Sequence, residues 1–136
     1  MTNVPDLILF VSRYQAKEKI AAHPELVPIG FTLGPPRWKL SYGPIMYLRQ
    51  IGPQPDFRYL EDPAKFREAY RKHLDGLGVA AVASLIWAVL EGSNNPSVAG
   101  AVLLCFEDLE DPKQWCHRQF FAEWWEERTG APVLEL

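Results

Sequence analysis

Short apolar runs alternate with longer segments of helical period along this chain. Leu7 to Val11 is an apolar run bounded by Asp6 and by Ser12-Arg13, with the length and flanks of a buried strand. Ala16 to Ala22 suits a short helix that Pro24 stops. Leu26 to Leu33 reads as a second strand, with Pro28 near its start where a missing donor is tolerable. Gly34-Pro35-Pro36-Arg37-Trp38 is a stiff loop, and Tyr42 to Gln50 suits a short helix. Asp62-Pro63 opens a clear helix, with the N-cap and first-turn residues such a start favours. Phe66, Tyr70 and Leu74 share one face of it, and Gly76 and Gly78 end it.

Val79 to Leu90 is apolar almost all round, which predicts a buried helix. After a turn at Gly92 to Ser97, Gly100 to Phe106 reads as the central strand, apolar on both faces. Trp115 to Arg128 is the last long helix, ended by Gly130. Cys116, Phe120 and Trp124 form one line along it, and His117, Phe121 and Trp125 the next. Asp111-Pro112 also resembles an N-cap and first turn, and a helix beginning there would put Cys116 in its second turn. Pro132 to Leu136 closes the chain as a strand. This alternation predicts an α/β fold: a single layered domain over residues 1–136, with a mainly parallel sheet of about four strands flanked by helices.

In such sheets ligands bind beyond the carboxyl ends of the strands. Ser12-Arg13, Gly34 to Trp38 and Cys105-Phe106-Glu107 would meet at that rim. The helix carrying Cys116-His117-Arg118 would start from it. Arg118 near a helix N-terminus, with Arg13, Arg37 and Ser12, suits a phosphate, a carboxylate or a nucleic-acid backbone. Arg118 could equally pair with Glu107 and tie helix to strand. Cys116, His117, Glu107 and Cys105 are the candidates for chemistry. A thiolate gains from a helix N-terminus and nearby cations, and Glu107 could act as general acid or base. Against this, adjacent helical residues diverge by about 100°, so Cys116 and His117 are not paired by adjacency alone. Cys116 beside Phe120 and Trp124, and Cys105 in its apolar strand, also read as small core residues. Cys105, Cys116, His117 and Glu107 are types that suit zinc, but their spacing matches neither a C-x2-C knuckle nor an H-E-x-x-H helix, so no metal site is expected. His23 and His73 read as surface residues without partners.

Composition changes this picture in two places. The net charge of −3 excludes a global basic field. Yet residues 1–72 carry 11 Lys and Arg against 7 Asp and Glu, and residues 73–136 carry 3 against 10. That asymmetry can mark a basic face. Two cysteines do not make a secreted disulfide scaffold, no signal-peptide pattern opens the chain, and no stretch reaches the ~20 apolar residues of a membrane span. The expectation is a cytoplasmic protein with reduced thiols and no membrane partner. Its cofactor is unspecified, and a homodimer is compatible with the sequence.

The strand Leu103-Leu104-Cys105-Phe106-Glu107, then Cys116-His117-Arg118, a helix, Gly130 and the strand Val133 to Leu136 resemble the ending of the domain of unknown function 488 family. The resemblance covers Ala101 to Leu136 and extends more weakly to Ser12-Arg13 and Gly34 to Arg37. It implies a compact α/β domain and a single functional cluster of Cys105, Glu107, Cys116, His117 and Arg118, without naming a reaction. The leading expectation is a rim site for an anionic ligand, either nucleotide or nucleic acid, with Cys/His/Glu chemistry available. Two other readings stand beside it. One is a non-catalytic interaction module using Trp38, Trp115, Trp124 and Trp125. The other is a thiol-dependent enzyme using Cys116.

Overall fold

A computed structural model describes residues 7–32, 34, 36–42, 46–106 and 115–136. Its centre is a five-stranded, all-parallel sheet of β1 (Ile8–Arg13), β2 (Leu26–Gly30), β3 (Met46–Tyr47), β4 (Gly100–Cys105) and β5 (Leu134–Glu135), in the order β3-β2-β4-β1-β5. The helices are α1 (Lys17–Ala21), α2 (Pro63–Leu77), α3 (Val79–Gly92) and α4 (His117–Thr129). The α/β class and the parallel sheet are as the sequence predicts. The extra strand is β3, formed where Tyr42 to Gln50 suggested a helix. Only Arg49–Ile51 there is helical, as one 3₁₀ turn. The two residues of β3 gain a ladder by pairing with Ile29 and Gly30, which outweighs the local helical spacing.

β4 sits in the middle because it can afford no solvent face. Every residue from Gly100 to Cys105 is buried, and the strand pairs along its length with β1 on one side and β2 on the other. The pleat sorts its side chains. Ala101, Leu103 and Cys105 join the larger core under α2, α3 and α4, while Val102 and Leu104 join a smaller one with Tyr14, Ile20 and Leu26. Gly30 belongs to the same fit: a Cβ there would stand 2.5 Å from the Tyr14 hydroxyl and the Tyr47 ring.

The helices follow their sequence signals closely. Asp62 caps α2, its carboxylate accepting from the Ala64 N–H at 3.1 Å. α3 is not buried all round. Val82, Ala83, Ile86, Val89 and Leu90 face the core, and Ala80, Ala81, Ser84 and Ala88 are exposed. Apart from Glu91 near its end, its outer face is made of small residues rather than charged ones, so hydrophobicity alone does not distinguish the two sides. α4 begins at His117 with Cys116 as its N-cap residue, and Asp111-Pro112 lies outside the described residues. Cys116 is therefore at the mouth of the helix and not in its second turn.

The charge asymmetry also finds its place. Arg67 and Arg71, one turn apart on α2, meet Glu123 and Glu127, one turn apart on α4. Arg128 of α4 returns the exchange to Asp75 of α2 at 3.1 Å, and Asp75 also accepts from the Trp124 indole N–H at 2.8 Å. Two arginines of the basic first half are thus matched to two glutamates of the acidic second half.

Since β4 is buried on both sides, Leu103→Ala should cost about 2–5 kcal/mol. Urea unfolding followed by tryptophan fluorescence would measure it.

Candidate functional site

The carboxyl ends of β1, β4 and β5 lie side by side, with Arg13 in register with Cys105 and Val11 with Glu135. α4 starts at this edge. Cys116 accepts the first helical bond, from the Gln119 N–H at 3.0 Å, and the Gln119 side chain takes the Cys116 N–H at 3.2 Å. That reciprocal pair fixes where the helix begins, and hence where the next two side chains point.

Arg118 is 1% exposed. Its Nε donates to Glu135 Oε1 at 3.0 Å and its Nη2 to Oε2 at 3.1 Å, a bidentate fork. Its Nη1 donates to Cys105 Sγ at 2.9 Å. The arginine therefore ties α4 to both β4 and β5. The described carboxylate partner is Glu135; Glu107, a candidate acid or base, lies outside the described residues.

His117 is buried on the other flank. Its Nε2 lies 3.1 Å from the Phe31 carbonyl oxygen, which can only accept, so Nε2 carries the proton and donates. Nδ1 is then the bare nitrogen, and it lies 3.6 Å from Cys116 Sγ. Phe31 and Tyr70 meet the imidazole edge-on, at 4.4 and 5.9 Å between ring centres. Burial, with the Arg118 charge adding to it, pushes the His117 pKa down to about 3 despite the bond to Phe31. The ring is neutral across the physiological range.

Cys105 and Cys116 are joined as a disulfide, both buried. The expectation of two reduced thiols does not hold in this structure, and Cys116 is not a free nucleophile in it. The register explains the meeting: Cys105 is the last residue of β4 on the face that α4 covers, and Cys116 is the residue before α4. The sulfurs and His117 Nδ1 or Nε2 all lie within 4.8 Å of one another.

Beside this cluster opens a cleft of about 460 Å³, lined by Ser12, Arg13, Gln15, Ala16, Lys17, Glu18, Lys19, Arg118, Glu135 and Leu136. Ser12, Arg13 and Arg118 come together there as the sequence implied. Arg37 does not. It is exposed in the loop after β2, and β4 separates β2 from β1. Gln15, Lys17, Lys19 and Glu135 were not singled out from sequence. Three of them belong to the segment after β1, whose strand-then-polar-turn pattern did point to the rim. Of the four tryptophans of the interaction reading, Trp124 and Trp125 are fully buried and Trp115 packs on Phe66. Trp38 alone of them is an exposed large hydrophobic, seated edge-on against Phe106. His23 and His73 are partnered, with Glu25 at 3.1 Å and the Gln50 carbonyl at 2.7 Å. No single helix is long and apolar enough to cross a membrane among the described residues.

No family model, curated protein or solved structure matches the chain.

His117 is protonated in the unfolded chain below its ordinary value near 6.5, but stays neutral in the fold down to about pH 3. The unfolded state then binds the extra proton, so its stabilising contribution is whole above pH 6.5 and declines as pH falls towards 3. Between pH 6 and 5, above the range where carboxylates titrate, stability should drop with a limiting slope of about 1.4 kcal/mol per pH unit. His117→Gln should flatten that slope, as urea titrations at stepped pH would read.

Proposed function

We propose that the cleft beside β1 binds an anionic ligand of the phosphate or nucleotide class in a cytoplasmic protein of the domain of unknown function 488 family. The observation that carries this reading is the composition of the cleft wall. Arg13, Lys17, Lys19 and Arg118 line it together with Ser12, against the two carboxylates of Glu18 and Glu135. One of those carboxylates, Glu135, is already engaged by Arg118. The position supports the reading as well, since the carboxyl edge of a parallel sheet is where ligands of α/β proteins bind. A cleft of about 460 Å³ falls within the range of small-molecule sites.

A nucleotide is favoured over a nucleic-acid duplex. Duplex binding draws on a row of cations tracking many phosphates. The paired arginines of α2, Arg67 and Arg71, are occupied by Glu123 and Glu127. The cations of the cleft are gathered around one concavity instead. Arg118 is a wall of the site and a positioning group, because its fork is held by Glu135. The direct anion contacts fall to Lys17 and Lys19, with the Ser12 hydroxyl beside them and Arg13 adding to the positive wall.

Inorganic phosphate, ATP and a short single-stranded oligonucleotide, each followed by calorimetry and thermal unfolding, test the proposal. The mononucleotide should bind and raise Tm. Lys17→Glu with Lys19→Glu, both exposed positions, should weaken it at least tenfold, or about 1.4 kcal/mol, at unchanged Tm without ligand. Failure of every anion to bind at millimolar concentration, or equal binding by the double variant, would overturn it.

A further inference from the structure

Arg118 belongs to the cleft, but the sulfur and imidazole atoms behind it do not line it, and anion binding gives them no task. We propose that, once the Cys105–Cys116 disulfide is reduced, the two thiolates and Nδ1 of His117 bind one zinc ion. The sequence spacing of the three residues argued against a metal, because no two of them form a short knuckle. The fold removes that objection by bringing the end of β4 to the mouth of α4.

Three observations carry the assignment. First, the donor atoms of Cys105, Cys116 and His117 already lie within 4.8 Å of one another, and all three residues are buried. With Zn–S near 2.3 Å and Zn–N near 2.0–2.1 Å, the S···N edge of a tetrahedron is about 3.6 Å. Cys116 Sγ and His117 Nδ1 stand 3.6 Å apart. Second, the Phe31 carbonyl holds the remote nitrogen of His117 as the donor, leaving Nδ1 as the lone pair beside the sulfurs. This backbone anchor on the far side of the ring is the arrangement that metal-bound histidines use to fix tautomer and orientation. Third, Arg118 Nη1 donates to Cys105 Sγ at 2.9 Å, which favours the thiolate form in which a cysteine binds metal. The Arg118 charge is itself answered by Glu135. Two thiolates, a neutral imidazole and a divalent ion leave no net charge in the buried cluster.

The chemistry balances with an external dithiol as reductant. The dithiol gives two electrons and two protons to the Cys105–Cys116 bond, leaving two thiols here and a disulfide on the reductant. Zinc then displaces the two thiol protons to solvent as the two Zn–S bonds form. The Cα atoms of the cysteines are 7.3 Å apart, a span across which the sulfurs can sit about 3.8 Å from each other, the S···S edge of the same tetrahedron. Three protein donors leave a fourth position for water or an exchangeable ligand. An external disulfide as oxidant reverses the exchange: it takes up the two electrons and leaves as two thiolates while the Cys105–Cys116 bond re-forms and the ion is released, so the pocket holds either a sulfur–sulfur bond or a metal.

Cobalt(II) replaces zinc as a spectroscopic probe. Titrated into the full chain, reduced and kept free of oxygen, it should bind one ion per chain with a thiolate-to-cobalt charge-transfer band in the near ultraviolet. Zinc should displace it, and the oxidised chain should give no band. Cys116→Ser should abolish the band. If that variant does not fold, protection of the wild-type thiols by zinc against an alkylating reagent decides instead. Absence of the band in the reduced, folded chain, or thiols that alkylate equally fast with and without zinc, overturns the proposal. Neither result bears on phosphate or nucleotide titrations of the oxidised chain, so the two proposals fail separately.

Discussion

The guanidinium of Arg118 is the constraint around which the rim is arranged. A charge almost wholly removed from water is tolerated only if its donors are answered. The fork to Glu135 and the bond to Cys105 Sγ supply part of that answer, and each draws a different element to α4. β5 is two residues long and exposed on both faces, so it buries little of its own. Its place beside β1 rests on a short ladder and on this ion pair. Glu135 is partly open to solvent, which keeps its desolvation cost modest, while Arg118 gives up nearly all its hydration.

Two kinds of contact share the task of closing the helical layer on the sheet. Under it, α4 and the odd-numbered face of β4 bury Trp124, Trp125, Phe121 and Leu103 in one core. Along the outer edge, α2 and α4 mesh through paired rows of opposite charge with the same one-turn spacing. The apolar layer provides most of the free energy. The exposed pairs are worth little individually, but they favour one relative sliding of the helices over others. Asp75 joins both kinds, accepting from a buried indole and an exposed arginine.

The long-period signals in the sequence translated into structure most faithfully. α2 was legible from its cap, its proline and its i, i+4 aromatic line, and β4 from an apolar run with no polar alternation. β3 was not, because two residues carry no period and form a strand only when β2 offers its edge. Cys105, Cys116 and His117 could be named as reactive types, yet their distances could not be inferred. Those depend on the pleat of β4 and on α4 starting at His117, which the Asp111-Pro112 signal obscured. Arg37 was assigned to the rim by loop order alone, without knowing that β4 would come between β2 and β1. Glu135 and the lysines of α1 were missed because each is an ordinary surface charge until the fold puts it opposite Arg118 or around the cleft.

The strand order has a consequence for synthesis. β1 and β2 follow each other in sequence but never pair; they border a slot that β4 fills, with Ile8 matched to Gly100 and Leu26 to the same residue. While the chain emerges from the ribosome, two apolar strands must therefore wait with unsatisfied edges for a segment made much later. Such edges are sites where wrong chains add. Only with β4 in place are the inner edges of β1 and β2 both paired, so one strand closes two edges at once.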